Sequence, residues 1–206
     1  MYIEINPTSI DQRKINEVCQ VLRDGGIIVV PTDTVYSFAC DLYNKKALNK
    51  LAQLKNVKLH KVNFSLICYD LSTLNEFTKP IDRSTYKLLN KALPGPYTFI
   101  LTASNKVPKL FDSNKKEIGI RIPNNEISRQ IVLELGNPLA VTSVRDEDEI
   151  VDYTNDATEI FQRFENQVDM VIDGGIGALE ASTIIDCTNN SFNVIREGLG
   201  TLDILD

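Results

Sequence analysis

The chain has 206 residues, of which 43% are apolar and 24% are charged, a balance that excludes a disordered tail protein. With 22 Lys and Arg against 28 Asp and Glu, the net charge is −6, which argues against a surface that binds nucleic acid over its whole area. A chain of this length buries enough surface to fold without a metal or disulfide, and we expect one domain over residues 1–206.

Apolar spacing predicts helices and strands that alternate along the chain. Ile15, Val18 and Leu22 have the spacing of an amphipathic helix, which should end at Gly25-Gly26. In chain order, the predicted elements are a helix over 15–22, a strand over 27–30, a helix over 47–52, a strand over 64–68, a helix over 86–93, strands over 97–101 and 118–122, a helix over 127–135, a strand over 139–144, a helix over 156–166, and strands over 168–172, 182–186 and 192–195. This order predicts a single-domain, twisted, open mixed α/β sheet with helices on its faces.

Two of these strands carry further information. The run over 27–30 is apolar at every position, as expected for a strand covered by helices on both faces. In the strand over 118–122, three isoleucines point to one face and Arg121 to the other. Such an arginine needs a carboxylate partner, a water-lined face or an anionic ligand. The two closing strands are close together in sequence, which predicts antiparallel pairing at an edge of the sheet.

The sequence shows no membrane span, leader or metal-ligand spacing. No apolar run approaches the ~20 residues of a membrane span, and the N-terminus lacks a basic-then-apolar pattern. The four cysteines are far apart, and His60 is the single histidine, so no Cys/His site is expected. We therefore expect buried free thiols, no tightly bound metal and a cytoplasmic protein.

The common catalytic motifs are missing. There is no GxxxxGK[ST] phosphate loop, no GxGxxG after a strand and no GxSxG turn. The single histidine lies in a lysine-rich segment, which argues against a Ser-His-Asp triad. The remaining polar segments lie at strand ends, where open α/β sheets usually bind ligands.

The first two polar segments allow both a functional and a structural interpretation. The segment PTDTVY over 31–36 could orient a small polar ligand, or its side chains could cap a local turn. Within it, Asp33 could either help to hold Mg²⁺ or cap that turn. The lysines over 55–61, with Asn63, could form a phosphate-binding rim or a solvated helix end.

Three further polar segments lie in the C-terminal third of the chain. The hydroxyls of TSVR over 142–145 could bind an anion or satisfy backbone groups. The DGGIG segment over 173–177 allows close approach of a ligand to the backbone, but it is equally typical of a flexible turn. Arg196 could pair with a nucleotide or form a surface ion pair.

The order of these segments is more informative than any one of them. It resembles that of the YrdC/YciO superfamily, whose best-known members are threonylcarbamoyl-AMP synthases. The resemblance extends from about residue 10 to residue 200. It is carried, in order, by PTDTVY (31–36), Lys55, PGPYTFIL (94–101), IGIRIP (118–123), PLAVTS (138–143), DGG (173–175), ASTIID (181–186) and VIREG (194–198).

The resemblance implies a twisted open sheet with a large concave, positively charged cavity. In the active synthases, this cavity joins threonine, bicarbonate and ATP into threonylcarbamoyl-AMP and pyrophosphate, for threonylcarbamoyladenosine formation in tRNA. ATP would be a substrate accompanied by Mg²⁺, and RNA a possible partner. Longer members carry an additional C-terminal domain, for which no residues remain here. Attack on the α-phosphorus needs no enzyme nucleophile, so positioning and charge neutralisation can supply most of the catalysis.

The resemblance also implies roles for individual residues. Lys55 would contact phosphate and the carboxylated intermediate, Arg121 would contact the amino-acid carboxylate, and Ser143 would line the anion pocket. These three are the expected catalytic residues. The expected substrate-binding residues are Thr32, Thr34, Tyr36 and Thr142. The expected nucleotide-binding residues are Lys58, Asn63, Ser182 and Arg196.

The chain departs from the active synthases at three places. It has Lys-Asn-Val over 55–57 in place of Lys-x-Arg, Ser-Val-Arg over 143–145 in place of Ser-x-Asn, and Ser-Phe over 37–38 in place of Gly-Leu. Loss of an arginine from a triphosphate clamp should cost a few kcal/mol, or ~10²-fold or more in rate. The departures resemble the YciO branch. They leave open a nucleotide- or double-stranded-RNA-binding protein without efficient synthase activity, or adenylate chemistry on another acceptor.

Overall fold

One mixed sheet contains the ten strands that are described. The structure, a computed structural model, describes residues 1–56, 64–108, 117–144, 154–189 and 191–206. The strands are β1 (Tyr2–Glu4), β2 (Ile28–Val30), β3 (Ser37–Asp41), β4 (Ser65–Ile67), β5 (Tyr97–Thr102), β6 (Glu117–Arg121), β7 (Leu139–Ser143), β8 (Met170–Asp173), β9 (Thr183–Asp186) and β10 (Asn193–Arg196). The helices are α1 (Gln12–Arg23), α2 (Lys45–Leu54), α3 (Leu71–Phe77), α4 (Arg83–Ala92), α5 (Glu126–Leu135), α6 (Ala157–Phe164) and a short 3₁₀ helix (Leu202–Leu205).

The sheet has the spatial order β1-β8-β2-β3-β7-β4-β6-β5-β9-β10. Strands β3 and β7 lie at its centre and pair antiparallel, with Ser37 opposite Ser143. The parallel pairs are β1 with β8, β2 with β8, β4 with β6, and β5 with β9. Strand β10 pairs antiparallel with β9 at one edge, which confirms the predicted edge hairpin. The predicted single α/β domain with a mixed sheet is therefore confirmed.

The helix ends follow from capping residues in the sequence. Each of the α-helices named above begins after an Asp or Asn whose side chain accepts a backbone N–H of the first turn, as expected for N-caps. Helix α5 ends at Gly136, which has φ +83°, a conformation that glycine adopts without strain. Gly25, with the same φ, follows α1 at the predicted position.

Two apolar layers lie on opposite faces of the sheet, and they differ in extent. One face packs against α2, α3, α4 and α6 in a layer that includes residues from β2 through β9. The other face packs against α1 and α5. Among the described residues, this second layer contains none from β5, β6, β9 or β10. The alternation in β6 is as predicted: Ile118, Ile120 and Ile122 join the first layer, and Arg121 lies on the second face. The apolar layer on the α1/α5 face thus leaves four of the ten described strands uncovered.

The four cysteines are free and buried, as the sequence predicts. Burial raises the pKa of the Cys19 thiol to about 11 and that of Cys187 to about 12. Over the ranges that the structure describes, no helix combines the length and the apolar character needed to cross a membrane. The same residues contain no group of three or more His, Cys, Asp or Glu side chains that could hold a metal ion.

Candidate active site

An open cavity of about 130 Å³ lies on the α1/α5 face of the sheet. Its lining comes from seven strands that are consecutive in the sheet, from β3 to β10, or from residues next to them. The lining residues are Val35, Ser37, Ser65, Thr98, Arg121, Val141, Thr142, Ser143, Ala181, Ser182, Ile184 and Arg196. Five residues that the sequence predicted as functional, Arg121, Thr142, Ser143, Ser182 and Arg196, are therefore brought together in one cavity.

Small hydroxyl side chains form the floor of this cavity. Ser65 lies opposite Gly119 in the β4–β6 pair, and a Cβ on Gly119 would be 2.6 Å from the Ser65 Oγ and 3.3 Å from a methyl group of Thr98. The Thr98 hydroxyl lies 2.7 Å from that of Ser182. Glycine at position 119 thus lets the hydroxyls of three strands approach each other.

Arg121 is buried at the inner end of the cavity, with 5% of its surface exposed. Its Nη2 donates to the Asp33 Oδ1 and to the Thr34 Oγ1, each at 2.9 Å. Its Nε is buried and has no hydrogen-bond partner in the part of the chain that the structure describes. Burial lowers the pKa of Arg121, as does the charge of Arg196, while Asp33 opposes the shift. An arginine keeps its proton in any protein, so the group is a buried cation whose Nε–H makes no hydrogen bond to the described residues.

Asp33 is a carboxylate partner for Arg121, which is one of the three possibilities that the sequence analysis left open. Its Oδ1 accepts from the guanidinium, and its Oδ2 accepts the backbone N–H of Asn124 at 2.9 Å. Both oxygens are therefore occupied, in a role that differs from the two proposed for it from sequence.

The two threonines beside Asp33, both expected substrate-binding residues, contact the local backbone and Arg121 but do not line the cavity. The Thr32 hydroxyl donates to the backbone carbonyl of Val35 and accepts the backbone N–H of Thr34, which is the predicted turn. The Thr34 hydroxyl lies 3.1 Å from that of Thr32 and accepts from Arg121. This turn therefore fixes the orientation of the guanidinium.

Arg196 lines the cavity, whereas Lys55, an expected catalytic residue, does not line it and lies next to the lining residue Ser143. Lys55 caps the C-terminus of α2, followed by Asn56 with φ +52°, and its Nζ lies 3.4 Å from the carbonyl oxygen of Ser143. Arg196 follows a register shift between β10 and β9. Its Nε and Nη2 donate to the Ser182 carbonyl at 3.1 and 2.8 Å. Such irregularities redirect side chains at sheet edges, and here Arg196 lines the cavity.

Tyr36, an expected substrate-binding residue, does not line this cavity. Its hydroxyl donates to the carbonyl of Gly175 at 2.6 Å and accepts the backbone N–H of Gly174 at 3.2 Å. Burial raises its pKa to about 12. The structure therefore uses Tyr36 to hold the turn after β8. The expected nucleotide-binding residues Lys58 and Asn63 lie outside the described residues.

Four polar residues of the site were not selected from the sequence. Ser37, Ser65 and Thr98 line the cavity, and Asp33 was left without an assigned partner. Each hydroxyl lies on a strand at a position that alternates with core residues, and this is the signal that could have found them. Isolated Ser and Thr residues carry no motif, so the signal becomes specific only once the strand register is known.

The fold and this cavity define an α/β protein with a cavity of hydroxyl and guanidinium groups on one face of an open sheet. Comparisons with known proteins agree. The sequence profile of the Sua5/YciO/YrdC family, described as "Telomere recombination", matches residues 20–198, and the chain belongs to this family. The resemblance found in the sequence is thereby confirmed.

Three relatives show the range of the family. YciO of Escherichia coli K12 is 35% identical over 201 residues, covering 97% of this chain and 96% of its own. The crystal structure of E. coli YciO superimposes with a TM-score of 0.91 over 99% of this chain and 98% of that chain, at 34% identity. A threonylcarbamoyl-AMP synthase of Coxiella burnetii is 28% identical over 173 residues, covering 84% of this chain and 91% of its own. P. abyssi Sua5 complexed with L-threonine has the same fold, with a TM-score of 0.89 over 100% of this chain and 59% of that chain, at 23% identity.

Proposed function

We propose that this protein is a nucleotidyltransferase of the threonylcarbamoyl-AMP synthase type, which joins threonine, bicarbonate and ATP into threonylcarbamoyl-AMP and pyrophosphate in the cytoplasm. The observation that carries the proposal is the buried guanidinium of Arg121, whose Nε lacks a partner within the described part of the chain. Leaving such a donor unsatisfied costs about 1–3 kcal/mol, so its persistence supports a ligand that accepts from it. The similarity of this chain to the C. burnetii synthase and to Sua5 with L-threonine supports the same reaction.

The cavity lining fits a carboxylate or a carbamate at the inner end. Arg121 offers an unused donor there, and Ser65, Thr98 and Ser143 offer hydroxyls that can donate or accept. A carboxylate held by a guanidinium forms short charge-assisted bonds, which are about twice as strong as neutral ones. We propose that Arg121 binds the threonine carboxylate and that the serines orient the carbamate.

The outer end of the cavity fits the more highly charged part of the substrates. Arg196 is exposed at the sheet edge, and the Lys55 Nζ lies beside the end of β7. We propose that these two side chains neutralise phosphate charge as pyrophosphate leaves. Mg²⁺ would be brought by ATP and would neutralise phosphate charge there, since substrate phosphates commonly supply part of its coordination. Catalysis would then come from positioning and charge stabilisation in the cavity.

A binding protein without efficient turnover is the second candidate. It is favoured by the departures at Val57 and Arg145, which remove one cation and one amide from the positions used by active synthases. In that case the cavity would hold a nucleotide or an RNA segment. Affinity for RNA should then fall steeply with salt, since each phosphate contact releases counterions.

Incubation with ATP, Mg²⁺, L-threonine and bicarbonate tests the first candidate, with threonylcarbamoyl-AMP detected by mass spectrometry. We expect a threonine-dependent product from the wild-type protein and a loss of at least about 10²-fold in Arg121→Lys, because an ammonium cannot reproduce the fork of donors. Arg129→Lys is the matched control, since Arg129 lies on α5 and donates to the Tyr69 carbonyl. It should keep wild-type activity.

A second pair of changes separates the two candidates. The double variant Val57→Arg, Arg145→Asn restores the residue types of active synthases, and it should raise product formation if those positions limit the rate. No product from the wild-type protein or from this double variant, together with salt-dependent RNA binding, would overturn the synthase proposal and support the second candidate.

A further inference from the structure

Asp33 places a carboxylate directly beside a cavity that should attract anions. Its side chain is 9% exposed and that of the Arg121 partner is 6% exposed, so the pair is shielded from solvent. A shielded carboxylate at 2.9 Å cancels much of the field of the guanidinium. At the inner end of the cavity, therefore, an incoming anion can accept a hydrogen bond from the Arg121 Nε–H, but the Arg121–Asp33 pair offers it little net positive charge.

The two ends of the cavity differ in this respect. Among the described residues, Asp33 and Arg196 are the charged groups that act on the Arg121 guanidinium. Arg196 is exposed, and it donates hydrogen bonds to the uncharged Ser182. At the outer end, the electrostatic attraction of an anion to Arg196 grows in proportion to the charge of the anion. At the inner end this attraction is small, because Asp33 offsets the charge of Arg121.

The geometry points to Asp33 as a specificity-determining positioning residue: it aims Arg121 and offsets its charge, so that the inner end selects a singly charged carboxylate or carbonate group over phosphate groups. This inference rests on the proposed function for the identity of the substrates, but not for its test. Asp33 acts through Arg121 and does not itself line the cavity.

Replacement by asparagine alters both properties of Asp33. The asparagine side chain has one oxygen and one NH₂ group, whereas the present carboxylate accepts from Arg121 on one oxygen and from the Asn124 N–H on the other. In either orientation the NH₂ group faces a donor, so one contact is lost. The substitution also leaves the full charge of the guanidinium facing the cavity.

The test measures affinity for acetate and for inorganic pyrophosphate by NMR titration, following the Arg121 Nε–H signal in arginine-labelled protein. In Asp33→Asn we expect acetate to bind at least about 5-fold more weakly and pyrophosphate to bind equally well or more tightly. The ratio of the two association constants should shift by at least about 10-fold toward pyrophosphate. If Asp33 had a purely structural role, its loss would lower the affinity for both anions by the same factor. The ratio of the association constants would then stay unchanged, and this result would overturn the inference.

Three further variants complete the test. Asp33→Ser removes the charge with a smaller side chain and should show the same shift in ratio, so the test survives misfolding of the asparagine variant. Asp33→Glu keeps the charge and should restore a ratio within about 3-fold of wild type. Asp41→Asn is the control, because Asp41 accepts the Tyr43 N–H and the Asn137 side chain at the far end of β3, and its ratio should not change.

The outcomes separate this inference from the proposed function. A wild-type protein that makes no threonylcarbamoyl-AMP but shows the expected shift on loss of Asp33 would overturn the proposed function alone. A wild-type protein that binds pyrophosphate but not acetate at Arg121 would overturn the inference. The inference would also be overturned if Asp41→Asn changed the ratio of the two association constants as much as Asp33→Asn does.

Discussion

Replacement of Arg121 by methionine should separate the stability of the site from its function. The substitution keeps most of the apolar length of the side chain but removes the cation, and among the described residues it leaves the shielded Asp33 carboxylate with the Asn124 N–H as its hydrogen-bond partner. Removing one member of a buried ion pair costs about 3–5 kcal/mol, because the remaining charge is uncompensated. We expect a loss near the lower bound, about 3 kcal/mol, since one hydrogen bond to Asp33 remains.

A second substitution at the same site should reverse the stability loss only. In the double variant Arg121→Met, Asp33→Asn, no buried charge remains, and about 2 kcal/mol of the lost stability should return. Binding of a carboxylate should stay at least about 100-fold weaker in both variants, because charge-assisted hydrogen bonds contribute about 1.5–3 kcal/mol each. Stability and affinity at this pair of residues are thus expected to move independently.

Urea unfolding and acetate titration measure the two quantities on the same samples. A typical protein has about 5–15 kcal/mol of stability, so Arg121→Met should still fold. If the double variant were no more stable than Arg121→Met, the cost would not come from an orphaned carboxylate. If either variant bound acetate as tightly as wild type does, Arg121 would not be the receptor, and the argument from its unpaired Nε would fail.

Three other predictions follow from the fold. Tyr36→Phe should cost about 1–3 kcal/mol and raise hydrogen exchange at residues 174–175, because the hydroxyl bonds both glycines there; unchanged exchange would count against that role. Gly119→Ala should weaken acetate binding by closing the cavity floor, whereas Gly136→Ala, with open space around it but φ +83°, should lose about 1 kcal/mol of stability and keep its affinity. Between pH 9 and 11, the free energy of unfolding should fall by about 1.4 kcal/mol per pH unit for each buried thiol, because the raised pKa lets the unfolded chain lose its protons first. Urea titrations at pH 8 and 10 check this, and a Cys19→Ala variant should show a smaller fall; an equal fall would contradict it.

Most of the sheet could be predicted from the sequence because the strand and helix periods are strong. The predicted elements all appear, with ends shifted by a few residues. Strands β1 and β3 and helix α3 were not predicted. Strand β1 has only three residues and lies at an edge, so it is too short to show an alternating pattern. Strand β3 follows the PTDTVY segment directly, so no sequence signal marks where it begins. Helix α3 has only seven residues and two buried side chains.

The site could be predicted only in part, since its key contacts join distant residues. The alternation in β6 showed that Arg121 needed a partner, but Asp33 lies 88 positions away and nothing in local spacing selects it. The turn over 32–35 was open to two interpretations. The structure shows the local turn, which Thr32 caps, and it shows the Thr34 hydroxyl accepting from Arg121, whereas the binding of a polar ligand by these side chains stays a prediction. The hydroxyl floor depends on strand register, which no local pattern specifies.

The alternation of β6 also bears on how new activities could arise on this fold. Ile118, Ile120 and Ile122 pack in the core, while Gly119 and Arg121 face the cavity side. Neighbouring residues of one segment are therefore constrained separately, by core packing and by the shape of the cavity. A substitution at a cavity position leaves the neighbouring core residues in place, so its cost in folding comes from the contacts of the cavity residue alone. Random libraries confined to cavity positions on β4 to β7 other than Gly119 and Arg121 should therefore yield mostly folded proteins with altered ligand preference. This gives a physical basis for functional divergence without change of architecture.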